Sequence, residues 1–133
     1  MPLTYLWVAL GGALGSVARF WVSNLAAARW GESFPWGTLL INVSGSFLIG
    51  ILAGHSAASG SWLATDSARK FLMIGICGGY TTFSAFSLQT LTLAQKEQWL
   101  SAGLYILASV ALCLVATGLG YLLGSAINPT RGN

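Results

Sequence analysis

Thr38, Asn42 and Ser46 follow one another at intervals of four, and Tyr105, Ser109, Cys113 and Thr117 repeat that spacing further along. On a helix such residues share a face, drifting by about 40° per step because four residues overshoot a 3.6-residue turn. Between the two stripes lies the run 75–87, Gly-Ile-Cys-Gly-Gly-Tyr-Thr-Thr-Phe-Ser-Ala-Phe-Ser, which adds Thr81, Thr82, Ser84 and Ser87, with Gln89 and Thr90 beyond. Amide N–H and hydroxyl O–H groups donate hydrogen bonds, so they can replace the water around a small anion. Phe83 and Phe86, three apart, present ring edges that carry partial positive charge. Taken singly, two such phenylalanines are ordinary packing, and a lone Asn or Ser bonds a neighbouring helix. Three aligned stripes around one irregular run reverse that balance and describe a narrow wet path.

What is missing narrows the chemistry. Glu32, Asp66 and Glu97 all fall in loops or at segment edges, and His55 sits at the end of an apolar stretch. A proton-coupled antiporter needs a titratable group at membrane depth, and none is well placed. Neither a nucleophile–base pair nor a metal cluster can be assembled, which leaves no basis for an enzyme. Cys77 and Cys113 have no CxxC or Cys/His neighbour and read as packing residues. The species handled is expected to be small and passively conducted.

The elements that position these groups follow from composition. Of 133 residues, 55% are hydrophobic and 7% charged, far outside the range of a soluble domain. Apolar stretches at about 3–27, 36–57, 69–93 and 99–125 each exceed the roughly 20 residues that cross a ~30 Å hydrocarbon layer as a helix. The reading is an all-α integral membrane protein, one membrane domain over 1–133, with four transmembrane helices. The first stretch has no basic leader and carries Arg19, so it is expected to be retained. Two adjacent glycines, Gly78 and Gly79, followed by Thr81 and Thr82, would serve a continuous helix poorly. The third helix is therefore expected to be broken at its centre, and irregular backbone at membrane depth survives only inside protein or beside a watery cavity. Carbonyls freed from Gly78 to Thr81 would present the opposite dipole end, suited to a cation.

Trp7, Trp21, Trp30, Trp36, Trp62 and Trp99 fall near span ends or connections, where indoles favour the headgroup level. Pro35 is expected in the first turn of the second span, and Asn128-Pro129 to end the fourth, with 128–133 as a frayed tail. Gly11, Gly15, Gly118 and Gly120 are small residues suited to close helix packing. The net charge of +3 comes from Lys and Arg standing singly at 19, 29, 96 and 131 and paired at 69–70. Nothing there makes a nucleic-acid surface. Arg69, Lys70 and Arg131 lie on one side of the bilayer against Arg19, Arg29 and Lys96 on the other, so the positive-inside rule assigns no orientation. Such a chain could insert both ways and pair antiparallel with itself, recreating the inverted repeat other transporters carry within one chain.

The run Gly78-Gly79-Tyr80-Thr81-Thr82-Phe83-Ser84-Ala85-Phe86-Ser87 resembles the signature of the small bacterial fluoride channels, the Fluc or CrcB family. The resemblance extends from about residue 5 to 125. It includes the Gly-Gly-Ala-Leu-Gly-Ser-Val-Ala-Arg run ending at Arg19, the entry from Trp36 to Asn42, and Tyr105, Ser109 and Thr117. It implies an antiparallel, dual-topology homodimer in the bacterial inner membrane that passes fluoride out of the cytoplasm and so relieves its toxicity. By the same resemblance Asn42, Phe83 and Phe86 would contact fluoride. Thr38, Ser84, Ser87, Tyr105, Ser109 and Thr117 would line its path, and Arg19 would stand at the pore vestibule. The backbone carbonyls of Gly78 and Thr81, with their mates from a second subunit, would hold a structural Na⁺. Three positions depart from the family's habit: Ala85 for Thr, Gln89 for Glu and Cys113 for Ser. Some family members pair unlike subunits, so a heterodimer stays open. Two other readings stand beside this one, a small proton-coupled exporter of cationic drugs and a non-conducting assembly subunit.

Overall fold

Long apolar stretches leave the backbone no water to bond, so each closes its own hydrogen bonds as helix. The computed structural model describes residues 2–57 and 61–127. Helix α1 covers Pro2–Trp30 and α2 covers Trp36–Ser56. A short 3-10 turn, Trp62–Ala64, leads into a third span over Asp66–Gln95. That span comprises α3 (Asp66–Arg69), a π-helical segment (Lys70–Cys77), α4 (Gly78–Tyr80) and α5 (Phe83–Gln95). The last helix, α6, covers Trp99–Ala126. All four spans are long and apolar enough to cross a membrane, and no strand occurs among the described residues. The first and third spans run a few residues past their apolar stretches, because flanking residues continue the helix into the headgroup region, while α2 and α6 match theirs to within one residue. The expected end of the fourth span at Asn128-Pro129, and the tail after it, lie outside the described residues; α6 itself stops at Ala126.

Local signals set the joints. Gly31 adopts φ 75°, the left-handed turn that closes α1, and its N–H bonds the Ala27 carbonyl at 2.8 Å. Pro35 stands just outside α2, at φ −78° and ψ 59°, and not in its first turn as expected. Its ring fixes φ near the helical value, but its ψ directs the chain out of the α region. Trp30, Trp36, Trp62 and Trp99 sit at element ends, whereas Trp21 lies nine residues inside α1 on an exposed face, deeper than expected.

Two glycine seams hold the helices together. Along α1, added methyls at Gly11 and Gly15 would overlap the backbone of Phe71–Gly75 and Ile76–Tyr80, and one at Gly79 would strike Gly12. Between α2 and α6, the most extensive pairing in the fold, Gly50 and Gly54 lie against the backbone at Thr117–Ser125, and Gly120 and Gly124 against Phe47 and Ile51. Gly118, expected to pack, faces open space; Gly120 and Gly124 hold the seam in its place. In lipid no hydrophobic effect drives helices together, so such close backbone approach supplies the association.

Candidate functional site

The irregularity in the third span falls one step past the paired glycines. Gly78 is helical at φ −65°, ψ −35°, while Thr81 (φ −77°, ψ 159°) and Thr82 (φ −153°, ψ 114°) are extended. Of the stretch from Gly78 to Thr81 where the sequence places the break, Gly78–Tyr80 stay helical and the extended backbone is confined to Thr81 and its neighbour Thr82. The reason is that Gly79 is needed for contact with α1, while β-branched threonines accept extended backbone readily. Asn42 on α2 secures the irregular stretch from both sides. Thr82 N–H donates to Asn42 Oδ1 at 2.8 Å, and Asn42 Nδ2 donates to the Thr82 carbonyl at 3.0 Å. Thr82 Oγ1 then accepts from Ala85 N–H at 3.2 Å and caps α5, an interaction worth about 1 kcal/mol. Tyr80 is tied to Ser44 on α2 by a 2.9 Å hydroxyl pair.

This arrangement has a consequence for two carbonyls. In a continuous helix Thr82 N–H would bond the Gly78 carbonyl, and Ala85 N–H the Thr81 carbonyl. Both donors are diverted, one to Asn42 and the other to the Thr82 hydroxyl. The Gly78 and Thr81 oxygens are the two that the family resemblance offers to a cation, and Gly78 is exposed. Neutral carbonyl oxygen suits a hard cation, and with no carboxylate lining the adjoining cavity the set suits a monovalent ion.

A cavity of about 390 Å³ opens at the interruption. Asn42 and Ser46 line it from α2, Ser109 and Cys113 from α6, and Phe83 and Phe86 from α5. No Asp, Glu, Lys, Arg or His contributes to its wall. Ser109 is 7% exposed and its Oγ has no hydrogen-bond partner, so a donor stands ready there. Phe83 and Phe86 lie with ring centroids 5.3 Å apart at an interplanar angle of 48°. The first turn of α5 begins at this wall, and its free N–H groups and dipole favour negative charge.

A second cavity, of about 250 Å³, opens among the α1–α2 loop and the end of α5, lined in part by Glu32, Thr38, Gln89 and Lys96. Between the two stands Tyr105, fully buried in a core with Leu39, Leu93 and Ala102. Its ring touches Phe34 of the second cavity (5.5 Å, edge-on) and Phe86 of the first (5.1 Å), and its hydroxyl donates to Gln89 Oε1 at 2.8 Å. The α2 stripe therefore runs from one cavity, at Thr38, to the other, at Asn42 and Ser46.

The remaining sequence candidates lie off these walls. Ser84 bonds Thr82 Oγ1 at 3.3 Å, and exposed Ser87 donates to the Phe83 carbonyl. Thr117 donates to the Cys113 carbonyl one turn beyond the cavity. Arg19 is half-buried on α1, between Gly15 against α4 and Ser23 against Gly37, and lines neither cavity. Sequence reasoning missed Thr82 as the centre of the hydrogen bonding and Gln89 as the partner of Tyr105. The only signal for either was its place within the polar run.

Four spans and an uncharged cavity at a helix interruption, apolar over most of its wall but carrying Asn42, Ser46 and Ser109, define a multi-pass membrane protein. Residues 6–121 match the family described as CrcB-like protein, Camphor Resistance (CrcB). A relative from Methylocella silvestris, named Fluoride-specific ion channel FluC, is 52% identical over 98% of this chain and 99% of its own length. Others of the same name, from Opitutus terrae and Rhodospirillum rubrum, are 50% and 52% identical over 97% and 95% of this chain, and over 98% of each relative. The chain belongs to the CrcB-like family.

Proposed function

We propose that this protein is a fluoride-selective channel, not an enzyme, that passes fluoride passively across the membrane. The carrying observation is the convergence, at one interruption, of an amide, an unpartnered buried hydroxyl and two phenylalanine rings in a cavity without charge. Fluoride is small and strongly hydrated, so only a wall dense in donors can replace its water. Asn42 retains one amide hydrogen after bonding Thr82, Ser109 offers its O–H, and the Phe83 and Phe86 edges complete the surround. Thr38 and Tyr105 would pass the ion toward the second cavity, with Ser84, Ser87 and Thr117 as further hydroxyls and Arg19 at the vestibule. No carboxylate is available for proton coupling at depth, so the gradient alone drives flux, which in a bacterial inner membrane means export of accumulated fluoride.

The working unit in this reading is an antiparallel, dual-topology homodimer. Ser84 and Ser87 lie exposed on α5 beside Phe83, which is 77% exposed, and polar groups at membrane depth require a protein or water neighbour. A second copy would cover that face and bring its own Gly78 and Thr81 carbonyls opposite the first pair. Those four oxygens would hold a Na⁺, whose positive potential would support the anion without a lysine or arginine ring. A crystal of the pair with only water between the carbonyl sets would reject that ion.

Reconstituted protein tests the main reading. Liposomes loaded with fluoride should release it on dilution, read by electrode, while chloride-loaded liposomes should not. Equal release of both halides would end it.

A further inference from the structure

The chain has two cysteines and two methionines, and three of these four sulfur residues line one cavity. Met73 and Cys77, on the π-helical segment, and Cys113, on α6, line the cavity at the Thr81–Thr82 interruption. Both cysteines are free thiols, and Cys77 is 1% exposed. Sulfur often fills membrane cores as adaptable packing, and scattered atoms would mean no more than that. Here two thiols and a thioether, from two separate elements, line a single cavity. The unpartnered Ser109 Oγ lies on the same cavity, which shows polar capacity there that the protein itself does not satisfy.

Soft thiolate and thioether ligands select soft d¹⁰ cations, while hard ions prefer carboxylate, carbonyl and water. The wall holds no carboxylate or imidazole to recruit zinc or calcium. We infer that this cavity binds a soft, closed-shell monovalent cation of the Cu(I) or Ag(I) kind through Cys113, Cys77 and Met73. Each thiol that ligates gives up its proton to water, and no electron is transferred. Gly78 and Thr81 line the same cavity, but their hard carbonyl oxygens suit sodium and not a soft ion. A second consequence rests on the fluoride reading: a cation seated there stands in the anion's path and obstructs it.

Ag(I) is the probe, added as nitrate in buffer free of chloride and thiols so that it stays in solution. Purified full-length protein is equilibrated with it and desalted, and silver per chain is counted by elemental mass spectrometry for wild type, Cys113→Ser and Met73→Leu. Expected is about one retained ion per chain in the wild type. Each variant should retain silver about tenfold or more weakly, at least the loss that peripheral changes already cause at metal sites. No retention in the wild type, or unchanged retention in both variants, overturns the site. Met73→Leu conserves volume and keeps the test decisive should Cys113→Ser fail to fold. In liposomes, silver should stop fluoride efflux in the wild type, and Cys113→Ser should raise the concentration needed. Undiminished efflux at saturating silver overturns the obstruction. Absence of efflux before silver is added sinks the fluoride reading instead and leaves the metal count to decide the site.

Discussion

The Asn42 carboxamide grips Thr82 through both of its ends, so its first task is to hold the backbone of the third span in an extended turn. Asn42→Ala strands a backbone N–H and a carbonyl away from water, at a cost of about 1–3 kcal/mol. We expect a lower thermal unfolding temperature in detergent together with lost fluoride efflux. Asn42→Asp sharpens the test, because a carboxylate still accepts from Thr82 N–H but turns a second acceptor on the Thr82 carbonyl and places negative charge on the proposed anion path. It should unfold at no higher a temperature than Asn42→Ala and fail to conduct; wild-type flux from it would remove Asn42 from the ion's path. Phe83 presents the opposite case. At 77% exposed, Phe83→Leu should change the stability of the folded chain by about 0.5 kcal/mol or less. An aromatic edge contact is worth about 0.5–1.5 kcal/mol, so efflux should slow by about two- to tenfold. A stability loss comparable to that of Asn42→Ala would make Phe83 a packing residue.

At the scale of elements, the glycine seams decide how closely the helices approach. A methyl at Gly15 would meet the Ile76 carbonyl and stand 2.8 Å from Tyr80 N, both rigid backbone. Gly15→Ala should therefore destabilise the protein by about 1–3 kcal/mol. Gly118→Ala, which meets open space, should stabilise it by up to about 1 kcal/mol through helix propensity. Thermal unfolding of the two variants side by side checks the contrast, and equal losses would show that the seam does not carry the packing. These same glycines mark what could be read in advance. The four spans were legible because an uninterrupted apolar stretch has one physical solution in lipid. Gly11 and Gly15 were legible as a close-packing pair, but Gly118 was not distinguishable from Gly120, since spacing does not say which glycine faces lipid. Hydroxyl stripes on α2 and α6 were visible from their period, and the structure brings Asn42, Ser46, Ser109 and Cys113 to one cavity. The Asn42–Thr82 pairing was not visible, because it joins residues 40 apart and no local pattern encodes such a contact. Nor does any residue type announce the π-helical stretch over Lys70–Cys77.

For the whole molecule, the question is how a chain whose sequence assigns three basic residues to either side of the bilayer would choose its orientation. On the sequence reading, Arg69, Lys70 and Arg131 count against Arg19, Arg29 and Lys96, and the bias that sets topology comes from an excess of such residues on the cytoplasmic side. A balanced chain can insert in both directions, which the antiparallel pair proposed above requires if its two interruptions are to stand back to back with their carbonyls facing. This predicts that orientation can be shifted with very few charges. Replacing Arg29 and Lys96 with glutamine leaves Arg19 against Arg69, Lys70 and Arg131, and should drive nearly all copies to one topology. Reporter fusions at the C-terminus would read that orientation, and cells carrying this variant alone should lose fluoride efflux. The reverse variant, with Arg69 and Lys70 replaced by glutamine, should insert the other way and also fail alone. Expressed together, the two should restore efflux, because each supplies the orientation the other lacks. Each variant conducting by itself at the wild-type rate would mean that a single orientation suffices, and the antiparallel pair would have to be abandoned.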